Sequence, residues 1–124
     1  MKITTFDPLI VSPKADDVIK VFEALGFEKT HAPVTSTETQ DIPSVRMKNA
    51  DGFHVDVADV KEMPRDNIMI RMNVDNFEEV YELLLSRGFK NIYGDHYVET
   101  PTSKSAVLFA PSGFAINLIE HIKK

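Results

Sequence analysis

The sequence predicts an α+β fold of two tandem βαβββ modules that form cupped mixed sheets with the helices on their outer face. Three observations predict it. Two segments are alike, Asp51 to Val57 (DGFHVDV) and Ser112 to Leu118 (SGFAINL). Each follows a helical stretch that ends in a Gly-Phe pair, at Gly26 or at Gly88. Each helical stretch in turn follows an apolar strand that closes on a valine. Three landmarks in one order indicate an internal repeat.

The first module begins with a strand over residues 3–11 and a helix that starts near Ser12-Pro13. Serine is a favoured helix cap and proline a favoured first helical residue, and Gly26 supplies the left-handed stop. The apolar stripe of this helix, at spacings of three and four, is Ala15, Val18, Ile19, Phe22 and Leu25. Alternation predicts three further strands, over residues 27–33, 43–49 and 52–59. The polar stretch Val34 to Asp41 is interpreted as a loop.

The second module repeats this order. A strand over residues 67–74 precedes a helix whose Asp75 and Glu78 are spaced as in a capping box, and Gly88 ends that helix. The buried stripe of the helix is predicted to be Phe77, Val80, Tyr81 and Leu84. The remaining strands are predicted over residues 90–98, 104–110 and 113–122.

Length and charge narrow the class of protein. The 124 residues suit one domain over residues 1–124, with repeat halves at about 1–62 and 66–124. A net charge of −5, with no basic run longer than Lys123-Lys124, disfavours a nucleic-acid or anionic-membrane partner. No apolar stretch approaches the roughly 20 residues of a membrane span. The absence of cysteine excludes disulfides and thiolate catalysis. With no secretory signal pattern, a cytoplasmic protein is predicted.

Strand alternation divides the side chains between two faces of each sheet. The purely apolar faces are expected beneath the helices, so the mixed faces line a concave cup. The residues expected in the cup are His54, Asp56, Arg71, Asn73, Asn117, Phe6, Met69 and Ala115. An apolar hollow with a few polar groups is typical of a small-ligand site, while a solvated face or a dimer seam is the alternative. Because a half of about 60 residues buries only about 60% of its surface, another half, from the same chain or from a partner, is expected to close the cup, and a homodimer is expected.

Two strand motifs carry a resemblance to a known family. Met69 to Asp75 (MIRMNVD) is similar to the opening-strand pattern His-x-x-Phe-x-Val-x-Asp, and Pro111 to Leu118 (PSGFAINL) is similar to the closing pattern Asp-Pro-x-Gly-x-x-x-Glu-Leu. The first half repeats the scheme more loosely, through Leu9, Val11, Phe22, Leu25-Gly26-Phe27 and Gly52. Over nearly its whole length the chain resembles the glyoxalase/bleomycin-resistance/dioxygenase (vicinal oxygen chelate) superfamily. The absence of tryptophan departs from the aromatic-rich grooves of the bleomycin binders.

The resemblance implies a divalent metal site in many relatives, held by His or Glu at the opening-strand and closing-strand positions of both halves. We assign those positions to Phe6, Met69, Asp56 and Asn117. Only Asp56 among them is a strong oxygen ligand, so no metal cofactor is predicted.

A rearranged metal site is the alternative. His54 and Asp56 lie two residues apart on one strand face, so their side chains are neighbours. The candidates for a third ligand are His96, Asp95 and Glu99. The competing interpretation is that His54 only hydrogen-bonds to Asp56 or to a neighbouring strand.

The favoured function is metal-independent binding of a small organic molecule, as in the drug-sequestering members of the superfamily. The predicted ligand-binding residues are Phe6, His54, Asp56, Met69, Arg71, Asn117 and Phe109. Arg71 is suited to clamping a carboxylate or phosphate, or alternatively to neutralising Asp56. The rival functions are a metal-dependent lyase, isomerase or dioxygenase with a rearranged site, and a regulatory or dimerisation module. The sequence assigns no catalytic residue and leaves open whether the protein is an enzyme.

Overall fold

The structure, a computed structural model, describes residues 1–31, 34–36 and 41–122. Within these residues the chain forms ten strands and two helices. The elements of the first half are β1 (Ile3–Ser12), α1 (Ala15–Ala24), β2 (Glu28–His31), β3 (Val34–Ser36), β4 (Asp41–Lys48) and β5 (His54–Asp59). Those of the second half are β6 (Asn67–Val74), α2 (Phe77–Ser86), β7 (Lys90–Asn91), β8 (Val98–Thr100), β9 (Ser103–Phe109) and β10 (Ala115–His121).

The chain divides into two compact units. The N-terminal unit is Asp7–Ile68, and the C-terminal unit combines Met1–Phe6 with Met69–Lys124. Strand β1 therefore begins in the C-terminal unit and ends in the N-terminal unit. No helix in the described ranges is long and apolar enough to cross a membrane.

The N-terminal unit is a mixed sheet with strand order β2-β4-β5-β1 and β3 paired to β4. Strand β1 runs parallel to β5, and β4 runs antiparallel to both β5 and β2. Helix α1 packs on one face because its stripe of spaced apolar residues needs an apolar partner. The buried residues of this core are Ala15, Ile19, Met47, Val55 and Val57.

The C-terminal unit repeats that arrangement, with strand order β6-β10-β9-β7 and β8 paired to β9. Strand β10 runs parallel to β6 and antiparallel to β9. Its buried core residues are Val74, Phe77, Val80, Tyr81, Ala106, Leu108, Ile116 and Leu118. Three aromatic rings meet within this core, since the Phe77 ring centroid lies 5.3 Å from that of Tyr81 and 4.6 Å from that of Tyr97.

The predicted fold class is confirmed. Each unit contains a parallel strand pair, an antiparallel extension on one side and one helix against one face, as two tandem βαβββ modules require. The polar stretch predicted as a loop is only partly one. Val34–Ser36 forms strand β3 against β4, and residues 37–40 lie outside the described residues.

Both helix starts differ from the prediction. Ser12 does not cap α1 directly, because its fully buried hydroxyl accepts from the Lys14 N–H at 3.0 Å and donates to Asp66 at 2.6 Å. The helix begins only at Ala15. Asp75 does not form the predicted capping box either.

Helix α2 is capped instead by Asn76, whose side chain accepts from the Glu79 N–H at 3.1 Å. The Asp75 carboxylate is occupied elsewhere, because it accepts from the backbone N–H of Lys2 at 2.7 Å.

The prediction of one strand over residues 90–98 is wrong, because a turn interrupts it. Strand β7 ends at Asn91, whose side chain accepts from the Tyr93 N–H at 2.9 Å and donates to the His96 carbonyl at 2.7 Å. Gly94 then takes a positive φ of 88°, which a non-glycine residue rarely adopts. These Asn and Gly residues make a turn that separates β7 from β8.

Candidate functional site

Each unit has one sheet face against its helix and a second face on the other side, which we call its open face. In the C-terminal unit, Ile70, Met72 and Val74 of β6 pack toward α2. Because side chains alternate along a strand, Met69, Arg71 and Asn73 point to the open face. This is the face on which a polar site was predicted.

Three rows of side chains cross the open face of the C-terminal unit. Arg71 stands beside Asn117, which stands beside Val107. In the next row, Asn73 stands beside Ile119, and Ile119 stands beside Ser105. The third row contains Ala115 and Phe109. Four predicted binding residues therefore belong to this one face: Met69, Arg71, Asn117 and Phe109.

The polar groups of this face are unusually buried. Arg71 is 5% exposed and Asn73 is 8% exposed, although neither residue type is commonly buried. Phe109, at the end of β9, is 39% exposed. The face therefore offers a recessed guanidinium and a recessed amide beside an accessible aromatic ring.

Asn73 carries a buried acceptor without a donor. Its Oδ1 atom makes no hydrogen bond within the residues that the structure describes. A buried polar group left in this state costs about 1–3 kcal/mol, so it needs an explanation. A donor supplied from outside the chain, by a bound molecule, is one that fits a binding face.

The open face of the N-terminal unit is acidic at its centre. Asp56 is 3% exposed and Asp7 is 6% exposed. Leu9 of β1 pairs with Asp56 of β5, and Asp7 precedes Leu9 by two residues, so both carboxylates point to the same side of neighbouring strands. Arg46 of β4 stands directly opposite Asp56 on its other flank. His54, at the start of β5, is exposed.

The position on β1 that corresponds to Met69 on β6, counted back from the helix start, is held by Asp7, whereas Phe6 was predicted there. Asp7 stands eight residues before Ala15, the start of α1, just as Met69 stands eight residues before Phe77, the start of α2. Phe6 points to the opposite side of β1 from Asp7 and is 63% exposed. A one-residue shift exchanges the faces of a strand, so Phe6 and Asp7 lie on different faces of β1.

Asp7 and Arg46 are the residues that sequence reasoning missed. Counting back from the helix start in both halves is the signal that identifies Asp7. Arg46 follows from pairing β4 with β5, since the residue opposite Asp56 depends on the register of that hairpin.

The residues at the four metal positions do not fit a divalent metal site of the kind that the resemblance implies. The N-terminal unit supplies two carboxylates, Asp7 and Asp56. The C-terminal unit supplies the thioether of Met69 and the amide of Asn117, and neither is a strong ligand for a hard divalent cation. In the described part of the chain, no three or more His, Asp or Glu residues are grouped so that they could hold a metal ion.

The proposed third ligands lie at the surface of the C-terminal unit. His96 and Asp95 have side chains that are 58% and 105% exposed, with 3.8 Å between Nδ1 and Oδ1. Glu99 is exposed on the short strand β8.

A charged cluster lies on the helix side of the C-terminal unit. Lys104 donates a hydrogen bond to Glu78, and the Tyr97 hydroxyl donates to the same carboxylate at 3.5 Å. The bond from Lys104 lowers the pKa of Glu78 below its usual 4.5, and the bond to Glu78 raises the pKa of Lys104 above 10.5. Burial raises the pKa of Tyr97 above 10.0. The cluster ties α2 to β9 and is away from the open face.

Comparison with known proteins identifies the fold. No protein-family model and no curated protein matches the chain. Solved structures do match the chain. A methylmalonyl-CoA epimerase aligns with a TM-score of 0.67 and 18% identity over 99% of both chains. The enzyme of that name from Mycobacterium tuberculosis aligns with a TM-score of 0.71 and 15% identity, over 98% of this chain and 90% of the other.

A V278E mutant of glyoxalase I from Zea mays aligns with a TM-score of 0.69 and 13% identity, over 96% of this chain and 43% of that one. The chain has the vicinal oxygen chelate fold. The resemblance read from the two strand motifs is thereby confirmed as a fold. At identities of 13–18%, these alignments establish the fold of this chain and not its chemistry.

Proposed function

We propose that this protein binds a small organic anion on its open face without a metal ion. The observation that carries the proposal is the burial of Arg71, at 5% exposure, beside Asn117 on the face away from the helix. A guanidinium carries five donors in a planar fork that matches carboxylate or phosphate, so Arg71 can bind an anion in addition to the interaction that it already makes within the protein. Met69 and Phe109 supply apolar contact on the same face.

The chemistry of the side chains supports binding without a metal ion. A resident divalent ion normally has three or four protein ligands in a catalytic or structural site. Met69 and Asn117 hold two of the expected positions with a thioether and a neutral amide. In this chain the positive charge that would attract an anion is therefore supplied by Arg71.

The structural neighbours support an organic-anion ligand. Methylmalonyl-CoA epimerase from Streptomyces coelicolor is known in complex with 2-nitronate-propionyl-CoA, and a methylmalonyl-CoA epimerase is known with methylmalonyl-CoA and NH4⁺. Both coenzyme A compounds are organic anions, so the fold accommodates such ligands in those proteins.

The first experiment measures bound metal and thermal stability together. Protein purified without added metal is expected to contain less than one equivalent of divalent ion, and a chelator is expected to leave its melting temperature unchanged. Carboxylates such as lactate, propionate and butyrate are then expected to raise the melting temperature, because a ligand that binds only the folded state stabilises it.

Arg71 variants test the site directly. Arg71→Gln removes the charge and is expected to weaken carboxylate binding at least about tenfold, since hydrogen bonds to charged groups contribute about 1.5–3 kcal/mol. Arg71→Lys keeps the charge and should retain part of the affinity. Arg65→Gln, at an exposed position, is the matched control. Unchanged affinity in a folded Arg71→Gln variant would sink the proposed site.

A metal-dependent lyase, isomerase or dioxygenase is the second candidate, favoured by one observation. Asp7 and Asp56 are two buried carboxylates on the same side of neighbouring strands, and carboxylate oxygens suit Mg²⁺ or Mn²⁺. One tightly bound equivalent of metal, with stability lost on chelation, would support this candidate and overturn the metal-independent proposal.

A further inference from the structure

The buried Oδ1 atom of Asn73, which has no hydrogen-bond donor among the described residues, indicates which chemical groups a ligand should carry. Asn73 is more than nine-tenths buried, and its Oδ1 atom accepts no hydrogen bond within the described ranges. It lies two residues after Arg71 on the same face of β6. A charged donor group and a neutral acceptor group therefore stand side by side.

The neighbouring side chain on β10 cannot satisfy this acceptor. Asn73 stands beside Ile119 in the parallel pairing of β6 with β10, and an isoleucine side chain has no donor. Ser105 lies one strand further away, beside Ile119. The missing donor is therefore best supplied by a molecule that binds to the open face.

We propose that the open face selects small carboxylic acids that also carry a hydroxyl or amino group. Arg71 donates to the carboxylate, and the ligand hydroxyl or amine donates to Oδ1 of Asn73. Residues two apart on a strand have Cα atoms about 6.6 Å apart, so one small molecule reaches both side chains. This inference rests on the proposed function and deepens it.

The test uses matched pairs of acids that differ only in the donor. Lactate is compared with propionate, and 3-hydroxybutyrate with butyrate, by calorimetric titration and by melting curves. The hydroxy acid of at least one pair is expected to bind about tenfold more tightly or better, because a site that hydrogen-bonds a hydroxyl rejects the analogue that lacks it.

Substitutions at Asn73 assign the preference to its amide. Asn73→Leu removes the acceptor, and the preference is expected to fall below about twofold. Its melting temperature without ligand should stay unchanged or rise by a few degrees, since an unsatisfied buried group has been removed. Asn73→Asp keeps an acceptor oxygen and should keep the preference. The same change at exposed Asn67, Asn67→Leu, is the control on this strand.

The outcomes distinguish a failure of this inference from a failure of the proposed function. If none of the four acids binds, the proposed function fails and the inference falls with it. If acids bind but the hydroxyl makes no difference in either pair, only the inference is overturned. It is also overturned if Asn73→Leu still prefers the hydroxy acid, or if Asn73→Leu and Asn73→Asp both fail to fold.

Discussion

At the scale of single residues, the two open faces differ in the charged side chains that they bury. Asp7 and Asp56 lie buried in the N-terminal unit, and Arg71 lies buried in the C-terminal unit. Burial of an ionised side chain is costly unless other groups compensate it. Buried charged residues are typical of binding sites and of buried ion pairs. These three positions are therefore the first targets for substitution.

The cluster of Glu78 and Lys104 makes stability depend on pH. The folded-state pKa of Glu78 is lowered, so its contribution is fully present above the usual pKa near 4.5 and is lost as the pH falls through the folded value. Lys104 has a raised pKa, so its contribution is present below about 10.5 and is lost as the pH rises through the folded value.

Glu78→Gln is therefore expected to lower the urea midpoint slightly at pH 7 and to leave it unchanged near pH 2. The effect is small because the Glu78 side chain is 49% exposed and solvent screens the pair. Exposed Glu82→Gln on the same helix is the control. An equal loss at both pH values would show that charge on Glu78 is not what stabilises the fold.

At the scale of elements, a glycine follows each helix two residues after its last residue, but the two glycines have different surroundings. Gly26 has a φ of +101° and nothing within 4 Å of the position of a Cβ atom. Gly88 has a φ of +90°, and a Cβ there would lie 2.9 Å from Cγ of Pro111. Both glycines avoid backbone strain, and Gly88 also avoids a clash.

Gly26→Ala is expected to cost about 1–2 kcal/mol of unfolding free energy, because alanine is strained at a positive φ. Gly88→Ala should cost a further ~1–3 kcal/mol through the contact with Pro111. Chemical denaturation of both variants measures the difference. Equal costs would mean that the loop containing Pro111 yields without penalty.

Elements were predictable where one periodic signal decided them. The stripe at Ala15 and Ile19 located α1, and the stripe at Phe77, Val80 and Tyr81 located α2, since burying an apolar face dominates other local preferences. The turn at Asn91 and Gly94 was missed because Ile92, Tyr93 and Val98 are residue types that favour strands. The side-chain hydrogen bonds of Asn91 override that preference.

The residues of the candidate site were likewise predictable only where strand alternation was clear. Arg71, Met69 and Asn117 were assigned to the face opposite the helix because strands β6 and β10 have unbroken alternation. Strand β1 gave no such signal, because apolar and polar residues do not alternate along Phe6-Asp7-Pro8-Leu9. The burial of Asp7 depends on its pairing in three dimensions, and no pattern within β1 specifies that.

At the scale of the whole molecule, the predicted homodimer remains a prediction. Several large apolar side chains are exposed: Phe6 at 63%, Phe53 at 67%, Ile68 at 69% and Phe114 at 50%. Burial of these side chains against a second copy of the chain would favour association.

We expect sedimentation to give twice the chain mass of 14.0 kDa. The value should change little with salt, because apolar contacts are not screened. A single-chain mass at every concentration tested would contradict the expectation.

Strand β1 also has a consequence for synthesis of the protein. Its first residues, Ile3 to Phe6, belong to the unit completed by Met69–Lys124, and Lys2 exchanges backbone and side-chain hydrogen bonds with Asp75. Their partners are made more than sixty residues later in translation. Residues Ile3 to Phe6 must therefore remain unpaired while the N-terminal unit Asp7–Ile68 can already close, so the order of synthesis differs from the order of folding.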